Sequence, residues 1–293
     1  MSTESMPNAI YSADKRISPA LVSVLQSTLL LLLLLFPVSY MNQFFHEAGH
    51  ALVNLANGAN VTFFYTHPFP FVGYIRPMTN YNNVWTHASG LLTGILVPLI
   101  IFILLWKRRS FYTLPFLLIF PLEAIFTGLS VAEINTTGDI FNILQITGLH
   151  IPSSVFYITY AFFFVVGIFF FISLLPMMGL SPQDKKSLFV LPAGMLLYCA
   201  LGLIIAYLVV PGSPIDVRYH LAEEIIVSAN YRPLVLGFVG ALLALIYITL
   251  YRRVYERLPA GLRTEGVSLS WRDLWYPAIL CIISVVLGLI AIT

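Results

Sequence analysis

Three residues in the stretch FFHEAGHALVNLANGA, residues 44–59, carry the chemistry of this chain: His46, Glu47 and His50. On a helix, residues four apart share a face, so the two imidazoles can grip one metal ion together. Glu47 stands beside them and can take a proton from a water that the ion activates. This is the H-E-x-x-H arrangement of zinc hydrolases, in which zinc lowers the pKa of water to about 7. A catalytic zinc takes three protein ligands and keeps one position open. The third ligand has to come from elsewhere in the chain, and the candidates are His67, His87, Glu133, Asp139 and His150.

Asp139 is the favoured third ligand. It follows a glycine in NTTGDIFNIL and opens a short helix, with Asn142 on the same face. Its plainer role would be to cap that helix. His150 is next in order. His87 is expected behind a ligand or hydrogen-bonded at the start of its span, and Glu123 to pair locally with a polar neighbour inside its own span. HASGLLTGILVP, residues 87–98, sets Gly90 and Gly94 in the spacing that lets membrane helices approach closely, opposite Ala48 and Gly49.

The elements that must position these groups are membrane helices. The chain has 293 residues, of which 59% are hydrophobic and 10% charged, where soluble domains carry about a quarter charged residues. The mean hydropathy is +0.88. Apolar runs long enough to cross a bilayer predict seven spans, at 19–57, 84–106, 110–130, 153–176, 187–210, 232–251 and 275–293. The fold class is therefore all-α and polytopic. Ionisable groups inside such spans are rare and mark function. Gln43, Glu47, His50, Asn54 and Asn57 form a polar stripe that must face protein or water. The first span is too long for a single crossing, and Pro37 predicts a break in it. Asn57-Gly58 is a helix stop. Residues 60–83, rich in Thr, Phe, Tyr and Val, predict a β-hairpin or an extended loop at the membrane surface.

Of the 15 lysines and arginines, only Arg76, Arg218 and Arg232 fall on one side of this topology. The positive-inside rule then puts the N-terminus in the cytoplasm and the C-terminus outside, on the side of the HEAGH helix end. Lys15 and Arg16 before the leucine run mimic a signal peptide, but no small-residue cleavage site follows Phe36, so the segment is expected to stay. A net charge of +2 without a basic tract argues against nucleic acid as a partner. Cys199 and Cys281 sit in apolar runs and are expected to pack. The chain divides into a polar tail at 1–18, a membrane core at 19–150 that holds the metal-site residues, and C-terminal helices at 151–293 with no assigned role.

With the membrane-embedded HEAGH, the small-residue second span and the later Asp in GDIFN in view, the chain resembles the site-2 proteases, intramembrane zinc metalloproteases, and most closely their short prokaryotic members and protease-like relatives. The resemblance covers residues 41–145. It implies zinc held by His46, His50 and Asp139, Glu47 as general base, and Asn142 as a contact for the substrate or the oxyanion. It also implies cleavage of a peptide bond in or near a transmembrane segment, in a prokaryotic cytoplasmic membrane. The family's Leu-Asp-Gly reads Gly138-Asp139-Ile140 here, and there is no peptide-binding soluble domain. Two other expectations stand beside it: a metal-dependent hydrolase acting on a lipid or small molecule, and a zinc-binding or transport protein without hydrolysis. No inverted repeat recommends transport.

Overall fold

The computed structural model describes residues 18–66, 73–77, 83–129, 139–209, 233–255, 257–259, 261, 263–264 and 266–288. His67, Glu133 and nearly all of the polar tail lie outside the described residues. Helix α1 (Pro19–Ala56) leads into two antiparallel strands, β1 (Val61–Thr66) and β2 (Gly73–Pro77). Then follow α2 (Val84–Trp106), α3 (Leu114–Leu129), α4 (Asp139–Thr147), α5 (Ser153–Leu174) and α6 (Ser187–Val209). The helical span Pro233–Tyr251, α7, ends in a π turn and continues as α8 (Arg252–Tyr255), and α9 is Trp275–Gly288. Among the described residues, seven helical segments are long and apolar enough to cross a membrane. The protein is an all-α polytopic membrane protein to which one small β-hairpin is added.

α1 is the central element. It packs against α2, α3, α6, α9 and both strands. Its leucine run is apolar all round, as a helix enclosed by others must be, and Leu30, Leu31, Leu34 and Leu35 are buried. At 38 residues it measures about 57 Å, well beyond a hydrocarbon core of about 30 Å. The expected break at Pro37 is corrected here: helical conformation continues through it without interruption. A proline removes only one backbone donor, and in a helix bundle neighbouring groups hold the turn in place. Pro37 is buried, Phe36 meets the Tyr198 ring edge-on at 4.9 Å, and the Tyr198 hydroxyl donates to Ser39 Oγ at 2.6 Å.

α1 ends where Asn57-Gly58 predicts. Gly58 adopts φ 81°, a left-handed conformation that a side chain would strain. The amides of Gly58 and Ala59 then turn back to the carbonyls of Leu55 and Asn54, both at 3.0 Å. This sharp stop directs the chain into β1. Residues such as Ile100, Ile103 and Leu104 on α2, and Ile158, Phe162 and Val165 on α5, remain exposed. They form an apolar exterior of the kind that lipid covers. Cys199 is buried and Cys281 partly so.

Candidate metal centre

The last third of α1 carries His46 and His50 on the face turned to α2. Small residues make that approach possible. A Cβ on Gly90 would overlap the His50 ring, and one on Gly49 would overlap the Thr93 hydroxyl and the Ser89 carbonyl. The two helices are also tied by a hydrogen bond, Thr93 Oγ1 donating to the Phe45 carbonyl at 2.8 Å. The glycines of HASGLLTG thus do more than pack helices: Gly90 leaves the volume that an imidazole of the site occupies.

The first turn of α2 sets the ring of His50. Asn83 caps that helix, its Oδ1 accepting the Thr86 N–H at 2.9 Å. The Thr86 carbonyl then faces His50 Nδ1 at 2.6 Å. A carbonyl only accepts, so Nδ1 carries the proton and the neutral ring presents the bare lone pair of Nε2. Asp139, the first residue of α4, arrives from the other side as α4 packs on α2. Its Oδ2 lies 3.1 Å from His46 Nε2 and 3.2 Å from His50 Nε2, and the two Nε2 atoms are 3.1 Å apart. Its Oδ1 accepts from His87 Nδ1 at 2.8 Å. Asp139 therefore spends both oxygens on histidines of other helices.

The donor set fits a zinc ion. Four-coordinate zinc with bonds of about 2.0–2.1 Å requires its ligand atoms roughly 3.3 Å apart. The two imidazole nitrogens and the carboxylate oxygen make a nearly equilateral triangle close to that size. Three lone-pair donors facing one another are satisfied together by one cation at their centre. Among the described residues, these three are the group of histidine and acidic side chains close enough to hold an ion.

Glu47 is buried, and its Oε1 accepts from Gln43 Nε2 at 2.9 Å, one turn back along the polar stripe. Asn142 is half-buried one turn after Asp139 on α4. His150 is exposed just past the end of α4 and takes no part in the cluster. Glu123 pairs locally with Thr127, as expected. Its Oε1 and His46 Nδ1 lie 3.8 Å and 3.5 Å from the point a Gly94 Cβ would occupy, so it stands behind His46 across that glycine. Two contributions were missed from the sequence. Thr93 had a signal, a hydroxyl inside an apolar span. The Thr86 carbonyl had none, because a backbone group carries no side-chain signature.

No family model, curated protein or solved structure matches the chain.

Proposed function

We propose that this chain is an intramembrane zinc metalloprotease of the site-2 protease type, hydrolysing a peptide bond in or near a transmembrane segment of a membrane protein. The observation that carries the reading is the triangle of His46, His50 and Asp139 donor atoms, with the buried Glu47 carboxylate on the same helix between the two histidines. Zinc bound there supplies Lewis acidity, which polarises a scissile carbonyl and makes a nucleophile of water at neutral pH.

The chain's own residues do the rest. Thr86 and Asn83 keep His50 in the tautomer that offers Nε2. Gln43 holds one oxygen of Glu47, so proton transfer falls to the second. Glu47 takes the proton of the attacking water and returns it to the leaving amine. Asn142, on the helix that Asp139 opens, offers an amide to the substrate backbone. A helical substrate hides its peptide bonds in its own hydrogen bonds and has to extend before attack. The β1–β2 pair offers a strand edge to which an extended segment can add. The lysine and arginine distribution supports a topology with the N-terminus in the cytoplasm and the site toward the outer side.

The test is cleavage of a single-span substrate protein co-reconstituted in liposomes, comparing wild type with Glu47→Gln. General acid–base catalysis contributes about 10²–10⁴-fold, so the variant should lose at least a hundredfold in rate while keeping its zinc. Turnover by Glu47→Gln near the wild-type rate would remove the general base and with it the proposed reaction.

A further inference from the structure

His87 is not one of the three grouped donors, yet it meets the centre through Asp139. Its Nδ1 lies 2.8 Å from Oδ1 of Asp139, whose Oδ2 is the oxygen turned to His46 and His50. We infer that His87 is a positioning residue that holds Asp139 to one-oxygen ligation. The inference rests on the metal-centre reading above and deepens it.

A carboxylate binds a metal through one oxygen or through both. Which it does depends on whether the second oxygen has another partner. Two-oxygen binding by Asp139 would raise the protein's donor atoms from three to four, so that the position a catalytic zinc leaves for water would become a fifth. A donor on Oδ1 prevents this. A carboxylate accepts only, so His87 Nδ1 is the group that donates. Side chains behind a metal's ligands typically change its affinity by 10–100-fold when removed.

The location of His87 adds to the argument. It adjoins Thr86, whose carbonyl orients His50 at 2.6 Å. Asn83 caps this same turn. One turn of α2 therefore sets two of the three ligands, which belong to α1 and α4. Both His87 and Asp139 are largely buried, with side chains 17% and 13% exposed. Their hydrogen bond thus meets little competition from water. His87 also explains how a nine-residue helix, α4, delivers its carboxylate at a fixed angle.

The atom that donates makes the test selective. The amide nitrogen of asparagine is bonded to Cγ, as Nδ1 of histidine is, so His87→Asn keeps a donor in nearly the same place. In glutamine the nitrogen stands one bond further out, and alanine has none. The experiment loads the purified chain with cobalt(II) in place of zinc. It records the visible d–d absorption, which is intense for four-coordinate cobalt and weak at higher coordination, together with cobalt affinity by chelator competition. Wild type and His87→Asn should give the intense spectrum and similar affinities. His87→Ala and His87→Gln should give weakened bands and a 10–100-fold loss of affinity.

If the alanine variant does not fold, the contrast between Asn and Gln carries the same test. Unchanged spectra and affinities in both the Ala and Gln variants would overturn the inference and leave the metal centre standing. So would an Asn variant as damaged as Gln, which would show that a donor at the Nδ1 position is not what the site takes from His87. Failure of the wild type to bind cobalt would instead overturn the metal-centre reading on which the inference stands.

Discussion

Gly90 and His50 compete for one volume, and the glycine yields it. Adding a methyl group to Gly90 puts a Cβ onto Cε1 and Nε2 of the ring that offers a donor to the site. At Gly94 the same change meets His46 Nδ1 at 3.5 Å, an ordinary contact. Overpacking of this kind costs about 1–3 kcal/mol, and at Gly90 the displaced atoms are those of the donor itself. Gly90→Ala should therefore lower zinc occupancy sharply while Gly94→Ala leaves it near wild type. Zinc per chain in the two purified variants checks this, and equal occupancies would contradict it. At this scale the spacing of His46, Glu47 and His50 was legible, because a helix turns four-residue steps into a shared face. Asp139 was legible as a residue whose choice over His150 needed the fold: one sits at the start of α4 against α2, the other in solvent past its end. The partner on each ligand was less legible. Gln43 stands four residues before Glu47 and could be read from spacing. The Thr86 carbonyl could not, whereas His87 was expected behind a ligand, and only the ligand it meets, 52 residues away, needed the fold.

Among the elements, the apolar runs predicted the spans to within a few residues, since a membrane demands about 20 apolar residues whatever the fold. The errors came where local chemistry overrode that demand. Proline at position 37 reads as a break, yet packing around Phe36, Tyr198 and Ser39 keeps α1 whole. α9 begins at 275 as expected, but a 3-10 turn, Trp271–Leu274, extends the last span ahead of it, where Ser270 and Asp273 form a capping box in SWRD, with the Ser270 N–H donating to Asp273 Oδ2 at 2.7 Å. Residues 60–83 left a hairpin and an extended loop equally open. Pairing of Tyr65 with Tyr74 and of Phe64 with Ile75 makes it a hairpin, with an irregularity between Val61 and Phe63. Strand register depends on what the strands pack against, here α1, and that information is not local.

For the whole molecule, the topology rests on charge, and charge can be tested. Gln183 and Ser268 are exposed at positions expected in the cytoplasm, and His150 is exposed on the expected outer side. Single cysteines at Gln183 and Ser268, in a background without Cys199 and Cys281, should react with an impermeant thiol reagent only when the inner face is opened to it, whereas one at His150 should react in intact cells. Labelling of all three from one side would remove a span and break the arrangement. The central claim is that His46, His50 and Asp139 hold one metal ion between them. Its most direct test is the zinc content of the purified full chain, measured for wild type, Asp139→Asn and His150→Ala. The wild type should carry about one zinc per chain, as a three-ligand site with an open position does. Asp139→Asn should lose most of it, because the amide keeps the shape but not the anionic oxygen, whereas a helix cap would tolerate the change. His150→Ala should keep it. Full zinc in Asp139→Asn with loss in His150→Ala would contradict the account.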